Sequence, residues 1–325
     1  MGLPRSPDSV LFTTYNVLDL FLSDEPGAVR RYERVVESIR GIDPDVLAVQ
    51  EIRGSYKPKV EGRLRQLAAD VGLQCLVRDK DGGHAQPALA MGSRGYHGGL
   101  LWRAGIEPVP DSFQVVGRLD FWHSLGCVTL DLGGRQVRHA TFHAAPFGRS
   151  LRAEQNELLV ARLTGSPASP PVLVGADWNT ESADRIKDAD GRWVLYEPGD
   201  PYAGATWSPD MIYQCEWDYD EDGNRRFRAD RRPGDVLWAG GLYDAAAALR
   251  APWQPTVGHY PGDRYGVAGI RRRIDAIRVS RHVLGALRAY HVVDSELTRR
   301  ASDHLPVTVE YKPAAITTGL PGDLD

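Results

Sequence analysis

The stretch from Val172 to Asn179 reads Val-Leu-Val-Gly-Ala-Asp-Trp-Asn, an apolar run that ends in an aspartate and an asparagine. A short, fully apolar run is typical of a buried β-strand. Charged side chains are rarely buried unless they are paired or bind a metal. This stretch therefore predicts a core strand over 172–176, with Asp177 and Asn179 placed at its end for a functional reason.

Other apolar runs of the chain also end or begin with a polar side chain that can carry chemistry. The residues concerned are Asn16, Glu51, Asp275, Asp303 and His304. Open α/β sheets commonly bind ligands at the ends of their strands. We therefore expect these side chains to meet Asp177 and Asn179 at one edge of the sheets.

Strand and helix patterns alternate along the chain. A helix is expected over about 28–40, where Tyr32, Val35, Val36 and Ile39 recur at helical spacing, between strands at Val10–Tyr15 and Val46–Val49. Two more helices are expected, one around Leu64–Val71 and one at Leu151–Leu163. Further strands are expected at about 99–102, 125–132, 136–142, 172–176, 274–279 and 305–311. This order is typical of a layered α/β protein.

The size of the chain bears on its domain organisation. Its 325 residues would by length alone suggest about two domains. Because the expected site uses both ends of the chain, we predict one domain over 1–311. Within it, 208–270 reads as a long surface loop or insert, and 312–325 reads as a flexible tail.

Composition excludes some classes of protein. A formal net charge of -4 gives no general signal for polyanion binding, although a local basic groove would suffice for nucleic acid. The three cysteines form no CxxC pair, so they indicate neither a zinc site nor a disulfide framework, and we expect a reducing, cytoplasmic setting. The first ten residues do not resemble a secretory signal, and no stretch reaches the roughly 18 apolar residues of a membrane span. The oligomeric state is not indicated.

The polar set favours one kind of chemistry. Carboxylate and amide oxygens suit Mg²⁺ or Mn²⁺. A phosphate-ester hydrolase needs such a cation to stabilise developing negative charge, together with a positioned water and a base. A histidine that is oriented by an aspartate is well suited to this work.

Six segments in this order resemble the endonuclease/exonuclease/phosphatase family, which includes pancreatic-type deoxyribonuclease, abasic-site endonucleases, sphingomyelinases and inositol-phosphate phosphatases. The segments are 14–16 (Thr-Tyr-Asn), 50–53 (Gln-Glu-Ile-Arg), 141–146 (Thr-Phe-His-Ala-Ala-Pro), 175–179 (Gly-Ala-Asp-Trp-Asn), 273–275 (Arg-Ile-Asp) and 302–307 (Ser-Asp-His-Leu-Pro-Val). The resemblance covers about residues 10–311. It implies a four-layer α/β sandwich, in which two facing mixed β-sheets are flanked by helices.

The resemblance also implies roles for the oxygen-bearing residues. Glu51 would bind the metal, and Asn16 and Asp303 would complete its surroundings. Asp177 and Asn179 would orient the attacking water and a phosphate oxygen. The family's Gly-Asp-Phe-Asn is Gly-Ala-Asp-Trp-Asn here, but the spacing from aspartate to asparagine is kept.

The remaining roles fall to histidines and an arginine. His304 would contact the scissile phosphate, held by a hydrogen bond to Asp275. His143 would face the leaving group or a phosphate oxygen, although the glutamate that deoxyribonucleases pair with it is missing from Gly95–Leu100. Arg53 would contact a neighbouring phosphate.

The region 208–270 leaves two interpretations open at residues 218–223. Their alternating aspartates match the first half of a calcium-binding loop, but its twelfth position would be Ala229, where a bidentate acid is required. A β-hairpin of Gln214–Tyr219 and Arg225–Ala229 is favoured instead. Arginine clusters at 225–232 and 271–273 make a phosphate-rich substrate plausible. Tryptophans 207, 217, 238 and 253 are interpreted as loop anchors rather than base-stacking residues.

The leading hypothesis is a divalent-metal-dependent phosphodiesterase that cleaves a DNA or RNA backbone by in-line attack of an activated water. The first alternative is a phosphatase or phosphodiesterase for a small molecule, an inositol phosphate or a lipid headgroup. The second alternative is an inactive binding module on the same fold.

Overall fold

The secondary structure alternates between strands and helices along most of the chain. The structure, a computed structural model, describes residues 5–117, 120–166, 168–205, 214–260 and 270–317. In chain order its strands and helices are β1 (Val10–Leu20), α1 (Pro26–Ile42), β2 (Val46–Arg53), α2 (Lys57–Val71), β3 (Leu76–Arg78), β4 (Ala85–Pro87), β5 (Leu89–Ala90), β6 (Tyr96–Trp102), β7 (Glu107–Pro108), β8 (Gln114–Gly117), β9 (Ser124–Asp131), β10 (Gln136–His143), α3 (Arg149–Leu163), β11 (Val172–Asp177), β12 (Arg185–Lys187), β13 (Trp193–Leu195), β14 (Cys215–Tyr219), β15 (Arg225–Ala229), α4 (Arg232–Ala239), β16 (Leu242–Asp244), α5 (Ala245–Ala248), β17 (Asp275–Ser280), α6 (Arg281–Leu284), β18 (Leu287–Val292), α7 (Glu296–Ala301) and β19 (Val307–Tyr311).

Two mixed sheets form the centre of the molecule. The first has the order β18-β19-β1-β2-β6-β5, and the second has the order β16-β17-β11-β10-β9-β7, with β8 also pairing with β9. In the first sheet β1 runs parallel to β2 and antiparallel to β19. In the second sheet β10 runs parallel to β11. The ends of β1, β2, β10 and β11 that carry the predicted site residues therefore reach the same side of the molecule.

Alternate side chains of each central strand point to opposite faces, as a pleated strand requires. Phe12, Val46 and Leu173 contribute to the core between the two sheets, whereas Leu47 and Val172 belong to the outer cores. The outer face of the first sheet packs against α1 and α2, and that of the second sheet packs against α3 and α4. The predicted four-layer α/β sandwich is confirmed.

A buried polar cluster joins the sheets directly beneath the predicted site. Gln50 donates from Nε2 to the Thr14 hydroxyl at 3.1 Å and to the Thr141 hydroxyl at 3.0 Å. The same amide lies 3.3 Å from the carbonyl oxygen of Gly175. At Gly175 a Cβ atom would lie 2.7 Å from Cβ of Thr14, so only glycine lets the sheets approach this closely.

Two expectations about chain organisation were wrong in part. The segment 208–270 is not all surface loop, because α4, β16 and α5 lie within it and β16 forms the edge of the second sheet. Leu237 and Leu242 are fully buried. The tail does not begin at Lys312, since Pro313–Ala315 form a 3₁₀ turn, Ile316 is buried and the Thr317 amide donates to the carbonyl oxygen of His282. Residues 318–325 lie outside the described part of the chain. The single-domain assignment stays a prediction.

The hairpin interpretation of residues 214–229 is confirmed. Strand β14 pairs antiparallel with β15, from Cys215 opposite Ala229 to Tyr219 opposite Arg225. The Asp220 carboxylate accepts hydrogen bonds from the backbone amides of Asp222 and Asn224 and so stabilises the turn.

Two general properties of the described residues are also clear. All three cysteines are free thiols and are buried. Within the described ranges, every helix is too short or too polar to cross a membrane.

Candidate active site

A cleft of about 350 Å³ opens where the two sheets meet at their strand ends. Six of the nine predicted site residues line it. They are Glu51, His143, Asp177, Asn179, Asp303 and His304. Two more, Asn16 and Asp275, are buried directly behind these lining residues and hydrogen-bond to some of them. Stretches of chain that are far apart in the sequence thus converge on one site.

Asn16 connects the two sheets at the floor of the cleft. Its Nδ2 donates to Oε1 of Glu51 at 3.0 Å and to Oδ2 of Asp177 at 3.0 Å. Its backbone oxygen accepts a hydrogen bond from the Ser302 hydroxyl at 2.8 Å. One buried amide therefore fixes the separation of two carboxylates that come from different sheets.

The backbone around Glu51 adopts an unusual conformation. Glu51 has φ 71°, and Leu18 and Asp19 have φ 47° and 46°. The pairing of β2 with its neighbours shifts register on both sides of Glu51. The Asp19 amide donates to Oε2 of Glu51 at 2.9 Å. A bulge of this kind re-aims a side chain, and here it directs the Glu51 carboxylate into the cleft.

His304 is held by a buried aspartate, as the resemblance implied. Its Nδ1 lies 2.8 Å from Oδ2 of Asp275. Its Nε2 faces the cleft, 3.8 Å from Oδ2 of Asp177 and 3.9 Å from Oδ1 of Asp303. Burial alone lowers the pKa of His304, but the charges of Asp275, Asp303 and Asp177 outweigh it and raise that pKa well above its usual value. The arrangement favours an imidazolium with one N–H directed at the cleft.

His143 has a different neighbour from the glutamate that was sought in the sequence. Its Nε2 lies 3.4 Å from Oδ2 of Asp177. Its ring stacks on the ring of His123, with centroids 4.0 Å apart and an interplanar angle of 21°. Burial, followed by the nearby charge of His143, lowers the pKa of His123 far below its usual value, so His123 is a neutral imidazole. His97, in the segment where the glutamate was expected, is instead bonded to backbone atoms of Gly92 and Gly54.

Asn179 is fixed on three sides. Its amide N–H donates to Oδ1 of Asp177 at 2.9 Å, and its Nδ2 donates to the carbonyl oxygen of Ala144 at 3.2 Å. Its Oδ1 accepts from Nε2 of Gln214 at 2.7 Å, and Gln214 in turn accepts a hydrogen bond from Arg272. Asn179 also has a left-handed backbone with φ 49°.

Arg53 lies beside the cleft and is not among the residues that line it. Its guanidinium lies over the ring of Tyr96, 3.8 Å from the centroid, and its Nε is 3.3 Å from Oδ1 of Asp19. Tyr96 and Asp19 line the cleft, but Arg53 does not. Arg53 therefore supports the cleft wall from behind, and its contact with a neighbouring phosphate stays a prediction.

The arginine clusters also divide differently from the expectation. On the hairpin, Arg226 and Arg228 form ion pairs with Asp218, and Arg228 also pairs with Glu216. Arg273 is fully buried against Glu197 and Asp244. From these clusters Arg272 alone is among the described residues that line the cleft.

An aromatic wall on one side of the cleft had no counterpart in the sequence interpretation. We use this name for Trp122 and Phe147, whose rings meet edge to face with centroids 5.0 Å apart. The guanidinium of Arg94 lies 4.3 Å from the Trp122 centroid. The predicted loop anchors Trp217 and Trp238 instead stack with Arg149 and Arg185 away from the cleft. Trp207 lies outside the described residues.

The comparison with known families gives one match that covers most of the chain. Residues 13–304 match the model of the Endonuclease/Exonuclease/phosphatase family. This chain belongs to that family. No curated protein has a sequence that matches this chain.

Several solved structures share the endonuclease/exonuclease/phosphatase fold of this chain. One is an endonuclease/exonuclease/phosphatase family protein from Bacteroides thetaiotaomicron, with 15% identity and a TM-score of 0.56 over 94% of this chain and 98% of that chain. A mannosyl-6-phosphatase from Bacteroides thetaiotaomicron VPI-5482 has 14% identity and a TM-score of 0.57 over 92% and 98% of the two chains. Truncated TDP2 from Caenorhabditis elegans has 14% identity and a TM-score of 0.56 over 93% and 97%. At these identities the likeness shows the fold alone.

Members of the endonuclease/exonuclease/phosphatase family are metal-dependent phosphoric ester hydrolases, and this chain is an enzyme of that class. The donors in the cleft fit a divalent cation. Ligand atoms of Glu51, His143 and Asp177 lie within 4.8 Å of one another, and so do those of Asp177, Asp275 and His304. Because most of these donors are carboxylate oxygens, the set suits a hard cation rather than a thiophilic one.

Proposed function

We propose that this family member is a phosphodiesterase that cleaves a nucleic-acid backbone by in-line attack of a water molecule. One observation carries the proposal. The Asn16 amide bridges Glu51 and Asp177 on the floor of a cleft, and the imidazoles of His143 and His304 both approach the same Asp177 oxygen. Such a site has an acidic, cation-binding part next to N–H donors, which is the arrangement that a transferring phosphoryl group needs.

The residues divide into a cation-binding part and a phosphate-binding part. Glu51 and Asp303, with Asn16 beside them, would hold Mg²⁺ or Mn²⁺. A cation bound there supplies positive charge that stabilises the charge developing on phosphate oxygens. Asp177 is placed to accept a proton from the attacking water, and Asn179 is fixed well enough to orient it.

The two histidines have complementary tasks in this proposal. His304, kept charged by Asp275, donates its Nε2 hydrogen to a non-bridging oxygen of the scissile phosphate. His143 lies between Asp177 and the stacked, neutral His123, and it faces the oxygen of the leaving group. The stack restricts rotation of the His143 ring in the absence of a glutamate partner. The complete set of acids and imidazoles argues against an inactive binding module.

The aromatic wall supports a nucleic-acid substrate. Trp122 is half-buried and Phe147 is exposed, and both line the cleft beside His143. Nucleobases stack on such side chains with a gain of about 1–3 kcal/mol per base. The neighbouring Arg94 adds a cation on the same wall.

A second candidate function is hydrolysis of a small phosphorylated molecule. It is favoured by the ion pairs of Arg226 and Arg228 with Asp218, which reduce the positive charge that the hairpin offers to a long polyanion. The formal net charge of -4 points the same way. A cytoplasmic setting, consistent with three buried free thiols, belongs to both proposals.

The test is a substrate panel run with Mg²⁺, with Mn²⁺ and with chelator. Supercoiled plasmid and single-stranded oligonucleotides are compared with sugar phosphates, inositol phosphates and phospholipids. We expect nicking or shortening of nucleic acid, with a rate that falls steeply as salt rises. Efficient release of phosphate from a small molecule, with no action on nucleic acid, would establish the second candidate instead.

A matched pair of variants tests the site itself. Glu51→Gln should lower kcat by about 10²-fold or more, because it removes a charge on which transition-state stabilisation depends. Glu37→Gln, an exposed substitution of the same kind on α1, should retain full activity. Wild-type turnover in Glu51→Gln, with an unchanged far-ultraviolet circular dichroism spectrum, would show that the cation-binding residues are wrongly assigned.

A further inference from the structure

We propose that Arg272 forms a second anion-binding subsite in the cleft, next to Asn179, for a phosphate or similar anionic group of the substrate other than the one that is hydrolysed. This inference rests on the phosphoesterase function proposed above. The subsite adds to that function the requirement that the substrate carry a second negative charge near the scissile bond.

Arg272 is a buried residue that is also one of those lining the cleft. Only 6% of the surface of Arg272 is exposed to solvent. One terminal nitrogen donates to Gln214 and lies 3.4 Å from the hydroxyl of Tyr202. Its Nε is buried and finds no hydrogen-bond partner among the described residues. The described residues therefore leave part of the hydrogen-bonding capacity of this cationic side chain unused.

Arg272 differs from the other buried arginines of the described residues in having no acidic partner. Arg273 contacts Glu197 and Asp244, and Arg278 lies 2.7 Å from Asp184. Even Arg152 has a carboxylate oxygen, that of Asp230, at 3.9 Å. In the described ranges no carboxylate oxygen lies within 4.0 Å of a nitrogen of Arg272. Since a buried charge is costly without a counter-charge, a ligand is the natural partner.

One internal candidate for that counter-charge is Glu181, whose carboxylate interacts electrostatically with both Arg231 and Arg272. Its carboxylate lies 3.7 Å from Arg231. Burial, followed by the charge of Glu197, raises the pKa of Glu181 well above its usual value and favours its neutral form. A neutral Glu181 does not supply a full counter-charge to Arg272.

The position of Arg272 relates the subsite to the reaction. Gln214 accepts from Arg272 and donates to Oδ1 of Asn179 at 2.7 Å. The guanidinium is therefore separated by one side chain from the asparagine that is proposed to orient the attacking water. A planar guanidinium is well matched to phosphate or carboxylate oxygens. The adjoining phosphate of a nucleic-acid strand and the second phosphate of a small bisphosphate share this chemistry.

The first experiment measures binding without catalysis. With divalent cations chelated, the carboxylates of Glu51, Asp177 and Asp303 repel anions, so binding of pyrophosphate reports on the remaining cationic part of the cleft. By isothermal titration calorimetry we expect wild-type protein to bind pyrophosphate and Arg272→Met to bind it at least tenfold more weakly. Arg271→Met, which removes the exposed neighbouring arginine, is the matched control and should bind like wild type. Equal affinity in Arg272→Met and wild type, or no binding by wild type, would overturn the subsite.

The second experiment separates recognition of charge from positioning of Asn179. Two substrate pairs are compared, a dinucleotide with and without a terminal phosphate, and an inositol bisphosphate with the matching monophosphate. The wild-type kcat/KM should favour the member with the extra phosphate in one pair, which identifies the source of the anion. Arg272→Met should reduce that preference about tenfold, and Arg272→Lys should restore part of it.

Gln214→Leu supplies the contrast, because it breaks the link to Asn179 without removing the charge. It should lower kcat/KM for both members of a pair alike and leave their ratio unchanged. A ratio that survives Arg272→Met would refute the subsite. Absence of turnover on every substrate would instead count against the proposed function, and the calorimetric comparison would then decide the subsite by itself.

Discussion

The polar cluster beneath the cleft allows a sharp test with two neighbouring threonines. Thr13 and Thr14 are adjacent on β1, and both are fully buried. Within the described residues both hydrogen bonds of the Thr14 hydroxyl are with Gln50, at 3.1 and 3.3 Å. Among the described residues the Thr13 hydroxyl has no hydrogen-bond partner. Substitution by valine keeps the shape at each position and removes only the hydroxyl.

Thr13→Val and Thr14→Val should therefore change the free energy of unfolding by different amounts or in opposite directions. Thr14→Val leaves Oε1 of Gln50 without its donor in the core, and an unsatisfied buried acceptor costs about 1–3 kcal/mol. Thr13→Val removes a hydroxyl that is itself unsatisfied, so the free energy of unfolding should stay constant or rise by about 1 kcal/mol. We expect the two variants to differ by about 2 kcal/mol in the free energy of unfolding.

The assay is urea unfolding followed by tryptophan fluorescence and far-ultraviolet circular dichroism, with equal m-values required for the comparison. Adding Gln50→Leu to Thr14→Val closes a double-mutant cycle. The double variant should be more stable than the sum of the single effects by about 1–2 kcal/mol, since no polar partner is then left alone between these two residues. Equal effects of Thr13→Val and Thr14→Val would refute the hydrogen-bond account of how the sheets are joined.

Two further predictions follow from the sheets and the cleft. Gly175→Ala places a methyl group 2.7 Å from Cβ of Thr14 and 3.1 Å from Cζ of Phe12. Overpacking of this kind should lower the free energy of unfolding, measured in urea, by about 1–3 kcal/mol. Gly27→Ala, whose methyl group would meet nothing within 4 Å, is the control, and comparable stability of the two variants would contradict the close approach of the sheets. Chelation should abolish hydrolysis, and added Mg²⁺ or Mn²⁺ should restore it. The circular dichroism spectrum should not change, because the metal-binding side chains belong to strand ends that the core already fixes. Activity that persists after dialysis against chelator would argue against a metal-dependent reaction.

The strand-end residues could be predicted from the sequence for a clear physical reason. A carboxylate such as Asp177 directly after a buried run cannot be explained by packing, and parallel strands bring their ends to one edge. Asp275 and His304 were singled out because they lie in or beside such runs, whereas their pairing was implied by the family resemblance. The alternation of strand and helix patterns predicted a layered α/β protein, and the family resemblance implied the four layers.

Other features left no such signal. Trp122 and His123 precede β9 in a segment with no periodic pattern, and only the fold brings them against Phe147 and His143. Arg53 is two positions from Glu51, but a register shift and the ring of Tyr96 turn its side chain away. Strand β16 has three residues, too few for an alternation to be read, so its place at a sheet edge was missed.

The left-handed backbone at Leu18, Asp19, Glu51 and Asn179 has a consequence for attempts to raise the thermal stability of this protein. Each such residue holds a conformation that side chains disfavour, at a cost of order 1–3 kcal/mol. Selection for thermal endurance alone would favour glycine or a relaxed loop at these four places. The resulting enzyme would unfold at a higher temperature than its parent and would have a lower kcat.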